Sequence, residues 1–150
     1  MGLKKGSFVV ADTVSVDDPY DISDPNVIEL TALDPSADVL TIDVCVKSKN
    51  TKVCIDSMAQ IAILDISSNF VTFEITYEIL RNDTVIATIN DEMDYESVVQ
   101  GRHTNFPNFP IVDDTPDLGV NRYVLRCTDE LCLSRVTVGS RSLKATVFEC

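Results

Sequence analysis

Apolar and polar residues alternate with a period of two along most of this chain, the mark of strands with one buried face. Phe8 to Val16 alternates, and so does Val27 to Leu33. Leu40, Ile42, Val44 and Val46 share one face, while Thr41, Asp43 and Cys45 share the other. Val53 and Ile55 continue the apolar face after Lys49-Asn50, with Cys54 and Asp56 opposite, so the two segments read as a hairpin. Val71, Phe73, Ile75, Tyr77 and Ile79 interleave with Thr and Glu, and Asn82-Asp83 turns the chain into Thr84 to Ile89. Tyr123, Leu125 and Cys127 form one face of a later strand, Val136 and Val138 lie on its expected partner, and Leu143 to Phe148 is the last strand. Ser57 to Ile66 is ambiguous with a helical turn, but its context favours a strand.

Eight to ten strands and no convincing helix predict an all-β fold, a jelly-roll-like antiparallel β-sandwich. The 150 residues fit one domain. Such a length buries roughly 68–70% of its unfolded surface, enough for a core without staples. Within it, Asp17-Asp18-Pro19 reads as a hinge between an N-terminal arm or donor strand (1–18) and the jelly-roll domain (19–150). The tandem Asn105-Phe106-Pro107 and Asn108-Phe109-Pro110 belongs to an edge or a loop, since proline donates nothing to a ladder.

Five cysteines change the picture most. Cys45 and Cys54 flank one expected turn, and Cys127 and Cys132 flank another. Paired across adjacent antiparallel strands, such cysteines meet the separation a disulfide needs. The expected bonds are therefore Cys45–Cys54 on an outer face and Cys127–Cys132 on an inner one. Cys150 is left over, a candidate for bonding another chain.

The net charge of −12 argues against nucleic acid, which needs clustered Lys and Arg. No apolar run reaches the roughly 20 residues of a membrane helix, so no membrane insertion is expected. Phe8 to Ala11 is too short for a signal-peptide core. The cysteines nevertheless suit an oxidising place outside the cell.

Candidate chemistry is sparse. His103 is the only histidine and has no Cys, Ser or carboxylate company in Arg102-His103-Thr104. There is no Gly-x-Ser-x-Gly elbow and no phosphate loop. The acidic runs Asp17-Asp18, Asp91-Glu92-Asp94 and Asp113-Asp114-Asp117 lack the EF-hand pattern and read as solvated turns, with calcium the lesser alternative. Asn82-Asp83-Thr84 fits a glycosylation acceptor, but turn chemistry suffices to explain it. No catalytic residue, metal ligand or cofactor is expected.

Tyr77 to Ile86, Asn121 to Leu125 and Gly139 to Ala145 resemble segments of small jelly-roll proteins of bacterial spore surfaces. These are exosporium and endospore-appendage subunits, with a tumour-necrosis-factor-like fold. The resemblance covers the C-terminal half. It implies synthesis without a signal peptide, release by lysis, and self-assembly into a fibre or layer on the spore surface. Such subunits often carry cysteines in an N-terminal arm, whereas this chain has none before Cys45.

The expected function is a structural subunit that assembles with itself by strand donation from Leu3 to Val16, with Phe8, Val10, Val14 and Val16 as contact residues and Cys150 as an inter-subunit bond. An ordinary first strand on its own sheet is the equal alternative for that segment. A homotrimeric ligand- or carbohydrate-binding head is the alternative function, and a hydrolase on the same scaffold is the least favoured.

Overall fold

The computed structural model describes residues 7–66, 70–96 and 101–149, and every regular element among them is a strand. One sheet holds β1 (Phe8–Val14), β2 (Ile28–Leu30), β4 (Thr51–Ile66), β7 (Gly101–Asn105), β8 (Ile111–Asp113) and β10 (Val136–Glu149). Its order is β1-β10-β4-β7, with β2 also on β10 and β8 also on β4. The other sheet is β3-β9-β5-β6, built from β3 (Ser36–Val46), β9 (Gly119–Asp129), β5 (Phe70–Arg81) and β6 (Thr84–Glu96). All pairings are antiparallel. Taking β1 and β2 as one interrupted strand, and β7 and β8 as another, gives two four-stranded sheets with the crossing connections of a jelly roll.

The core is the set of inward positions that the alternation marks. Ile42, Val44, Val53, Ile55, Ile75, Ile79, Leu125 and Val147 are all buried in one cluster. The sharpest turn is also where expected. Asn82 and Asp83 have φ of 49° and 66°, the left-handed region that Asn and Asp tolerate better than most residues. Asn82 accepts a hydrogen bond from the Arg122 amide at 2.8 Å and gives its own amide to the Arg122 carbonyl at 2.9 Å. Its side chain thus serves as a clip between β5 and β9.

The proline-bearing tandem breaks an edge strand in two. Pro107 and Pro110 fall between β7 and β8, and only an isolated bridge from Asn108 to Met58 continues the ladder there. Among the described residues, Ser57 accepts the Phe109 amide and Pro107 accepts the Ala59 amide instead.

The hairpin expected about Lys49-Asn50 is corrected. β3 and β4 lie in different sheets, with β3 paired to β9 and β4 to β10. Residues 47–50 carry the chain from one sheet to the other rather than turning it back. Matching alternation on both sides of the loop is satisfied by either arrangement, because both strands present their apolar face to the same core.

Segment 15–27 crosses the outer face of the first sheet. Val16 donates its amide to Ser140 Oγ at 2.9 Å, and Thr137 Oγ1 donates to the Pro19 carbonyl at 2.6 Å. Tyr20 Oη is bonded to Thr104 Oγ1, and the Arg102 guanidinium lies 4.6 Å from the Tyr20 ring centre. The outward-facing Thr137 and Ala62 are buried beneath this strap. Gly139 sits below it with no room for a side chain: a Cβ there would lie 2.7 Å from Gln60 Oε1 and 2.8 Å from Pro19 Cβ.

Candidate assembly interface

β1 is the outermost strand of its sheet. It pairs with β10 of its own chain from Phe8 opposite Val147 to Val14 opposite Arg141. Phe8, Val10 and Val14 share the inward face, where Val10 and Val14 pack half-buried on the core. Phe8 stays 38% exposed at the open end, and outward-facing Val9 is 59% exposed. Val16 is buried, and it is already part of the strap: Ser140 Oγ donates to its carbonyl at 3.1 Å. The segment thus lies where an ordinary first strand would, and the part of it outside the strap ends at Val14.

The inward charge of Asp12 on this edge, opposite Leu143, is a device that discourages random strand addition. β10, by contrast, is held on its other side by β4 over the same stretch, from Arg141–Ala59 to Val147–Val53. Without β1, β10 would keep one full ladder and expose a second.

The cysteines are placed as follows. Cys45 lies exposed on β3 opposite Val120, and Cys54 lies half-buried on β4 opposite Thr146 and Val112. They sit on the outer faces of opposite sheets, so the expected bond between them has no geometry to support it. Cys127 is fully buried, between Ala37 and Tyr77 on the neighbouring strands. Cys132 is in the loop after β9 with φ of 53°, its amide on Asp129 Oδ1 at 3.0 Å and its Sγ on the Asp129 carbonyl at 3.3 Å. All four are free in this structure, so neither expected bond is present in it. Cys150 lies outside the described residues.

Burial pushes the Cys127 thiol up to about 12, against the opposing pull of Arg141. That makes it an inert core residue rather than a nucleophile. Alkylation of the native protein followed by mass mapping is expected to modify Cys45 first. Cys127 should react only on unfolding, and rapid native modification of Cys127 would contradict its placement.

Two further polar features went unseen in the sequence. Asp113, expected in a solvated acidic run, is buried and accepts from Arg81 Nη1 at 2.8 and 2.9 Å and from Tyr123 Oη at 2.7 Å. Its parity with inward-facing Ile111 was the available signal. Tyr77 Oη is buried without a partner among the described residues, and burial raises its pKa. Tyr77→Phe removes an unsatisfied hydroxyl and is expected to raise stability by about 1 kcal/mol in urea unfolding. A loss of similar size would mean that the hydroxyl has a partner.

Among the described residues no three His, Cys, Asp or Glu gather as metal ligands. The backbone of His103 lies on β7 opposite Ile63. No described helix is long and apolar enough to cross a membrane.

No family model matches the chain, and no curated protein does. Solved structures do. Dimeric latent PorU from Porphyromonas gingivalis aligns with 93% of the chain at 8% identity and a TM-score of 0.49. The VP2 subviral particle of infectious bursal disease virus aligns with 95% of it at 13% identity and a TM-score of 0.53. The chain spans 12% and 33% of those two proteins. The VP2 likeness shows a common β-sandwich fold.

Proposed function

We propose that this chain is a structural subunit that assembles with copies of itself into an extracellular fibre or spore-surface layer, exchanging β1 between neighbours. The observation that carries this reading is β1 itself: a seven-residue edge strand, more exposed than buried, on a β10 that keeps β4 as its partner without it. Donated to the next copy, β1 would recover the same ladder and the same contacts for Val10 and Val14. Each copy that donates a strand also accepts one, so the chain of exchanges has no natural end.

The balance is close, because the tethered arm competes for its own β10 at an effective concentration on the order of mM for short linkers. Exchange therefore needs crowding at a surface or an additional contact between copies. Exposed Cys45 and half-exposed Cys54 are available for bonds between subunits, and Cys150 is a further candidate. The shared fold of a protein found in a subviral particle is compatible with this role.

Light scattering and negative-stain microscopy of the protein, with and without reductant, test the reading. Open-ended growth supports it. A fixed mass of three chains would favour a closed ligand-binding head instead. A monomer at every concentration would overturn both.

A further inference from the structure

A strand that passes between copies has to be accepted in one register, and apolar alternation alone does not set it. The inward positions of β1 are Phe8, Val10, Asp12 and Val14, opposite Val147, Ala145, Leu143 and Arg141 of β10. A slip by two residues keeps the same face inward. In one direction Val10 would face Val147 and Val14 would face Leu143, so the apolar contacts permit it. The other direction is blocked. It would put Val14 opposite Gly139, in the stretch between Val138 and Arg141 where β10 leaves its ladder with β4. There the strap lies so close that a Cβ on Gly139 would be 2.8 Å from Pro19 Cβ.

Asp12 distinguishes the two registers that remain. It is the only charged residue of β1. Across from it on β10, Arg141 is buried, with Nε and Nη1 given to the carbonyls of Val39, Asn26 and Gly139. Among the described residues its Nη2 has no acceptor, and no carboxylate lies within ion-pair distance. In the observed register Asp12 and Arg141 are diagonal neighbours on one face, about 7–8 Å apart, a span that long side chains reach across. Asp12 Oδ1 accepts the Thr13 amide at 2.9 Å, and Oδ2 has no partner among the described residues. Asp12 is also the carboxylate whose charge pulls on the guanidinium; the other group acting there, Cys127, is a thiol that burial keeps protonated. In the slipped register Asp12 would face Ala145 between Leu143 and Val147, two residues or about 7 Å farther from the cation. A carboxylate set among apolar side chains without a partner is costly.

We propose that Arg141 reads Asp12 of the β1 that β10 receives, from its own chain or from a neighbour's, and so fixes the register in which that strand is accepted. This rests on the strand-exchange reading and deepens it by naming what the acceptor recognises. The edge of β10 takes an extended segment with one inward carboxylate between two inward valines. An all-apolar strand laid in the same place would leave the cation without its counter-charge. The occupant is the β1 of a second copy, because the chain carries the acid and the cation at matching places on the two strands.

Engineered disulfides in the full chain report the register. Cys54→Ser is included throughout, because Cys54 lies opposite Thr146. Ala11→Cys with Lys144→Cys closes best in the observed register, and Ala11→Cys with Thr146→Cys in the slipped one. Protein labelled with light nitrogen and protein labelled with heavy nitrogen are unfolded and refolded together, then treated with oxidised glutathione. Linked peptides of mixed label come from two copies. Asp12 is exposed, so its variants leave the core intact. With Asp12 in place the observed register should prevail. Asp12→Asn should cut that preference about fivefold, the upper end for a partly exposed charge pair. Asp12→Lys should cut it further, because Arg141 then repels the strand. Asp17→Asn, the same change of net charge at an exposed position in the strap, should leave it unchanged. An Asp12→Asn protein that keeps the wild-type preference would overturn the proposal. So would an Asp12→Lys protein that matches wild type, since that pattern marks a burial penalty on any charge rather than a reading by Arg141. Links that never carry mixed label would overturn strand exchange, and the order of preference among same-copy links would still decide whether Arg141 reads Asp12.

Discussion

Asp113→Ala is expected to lower stability by about 3–5 kcal/mol, the cost of removing one member of a buried ion pair and leaving the other. Asp113 ends β8 in one sheet, while its partners Arg81 and Tyr123 belong to β5 and β9 of the other. The carboxylate also accepts the Thr115 amide at 3.2 Å, and Arg81 Nη1 donates to the Thr115 carbonyl at 2.7 Å. One side chain thus holds both sheets and the loop between β8 and β9. Its loss strands the Arg81 charge and the Tyr123 hydroxyl together. Against a typical total of about 5–15 kcal/mol, this is a large fraction. Urea unfolding monitored by tyrosine fluorescence measures it, with Asp114→Ala as a control at an exposed neighbour. A loss below about 1 kcal/mol would show that the network is not stabilising.

Deleting residues 1–14 is expected to abolish open-ended assembly while leaving a folded sandwich. The strap from Val16 onward stays fastened to Ser140 and Thr137, and β10 keeps β4 as its partner. The apolar cost is confined chiefly to half-buried Val10 and Val14, roughly 2–3 kcal/mol together at the usual value for burying such side chains. The fold is expected to survive that loss and the proposed assembly is not. Microscopy and circular dichroism on the same preparation separate the outcomes. Fibres from the shortened protein would exclude β1 as the donated strand. A shortened protein that cannot fold would make β1 an indispensable core strand.

Most strands could be read from the sequence because alternation is a local property. Val71 to Ile79 and Leu40 to Val46 fix their faces without reference to any partner. The turn at Asn82-Asp83 was legible for the same reason, since it needs only residues that tolerate positive φ. Sheet membership is not local. Nothing in Cys45 to Ile55 distinguishes a strand that folds back on its neighbour from one that crosses the core, and the expected Cys45–Cys54 bond rested on that choice. Bulges were equally hidden. The register slips between Asp38 and Leu40 on β3 and between Val138 and Arg141 on β10, with no glycine in the first case to mark it. Outer-face burial at Ala62 and Thr137 depends on a strap many residues away. The apolar pattern of β1 was visible, while its register on β10 was not.

Those two bulges meet at a single residue. Arg141 is buried, has no ion-pair partner among the described residues, and donates to the carbonyls of Val39 at 2.8 Å, Asn26 at 2.7 Å and Gly139 at 2.8 Å. Val39 is the residue that the first slip in register leaves unpaired, and Gly139 is one of those left by the second, with Ser140 and Gln60. A fixed cation ringed by peptide oxygens from three stretches of chain is the arrangement by which proteins hold a structural calcium ion. Here the cation is covalently part of the chain. No chelator can remove it, and the acceptors around it are peptide carbonyls. Burial lowers the Arg141 pKa, against the opposing pull of Cys127 and Asp12. This corner of the sandwich is held by a cation that the chain itself supplies to its own peptide oxygens.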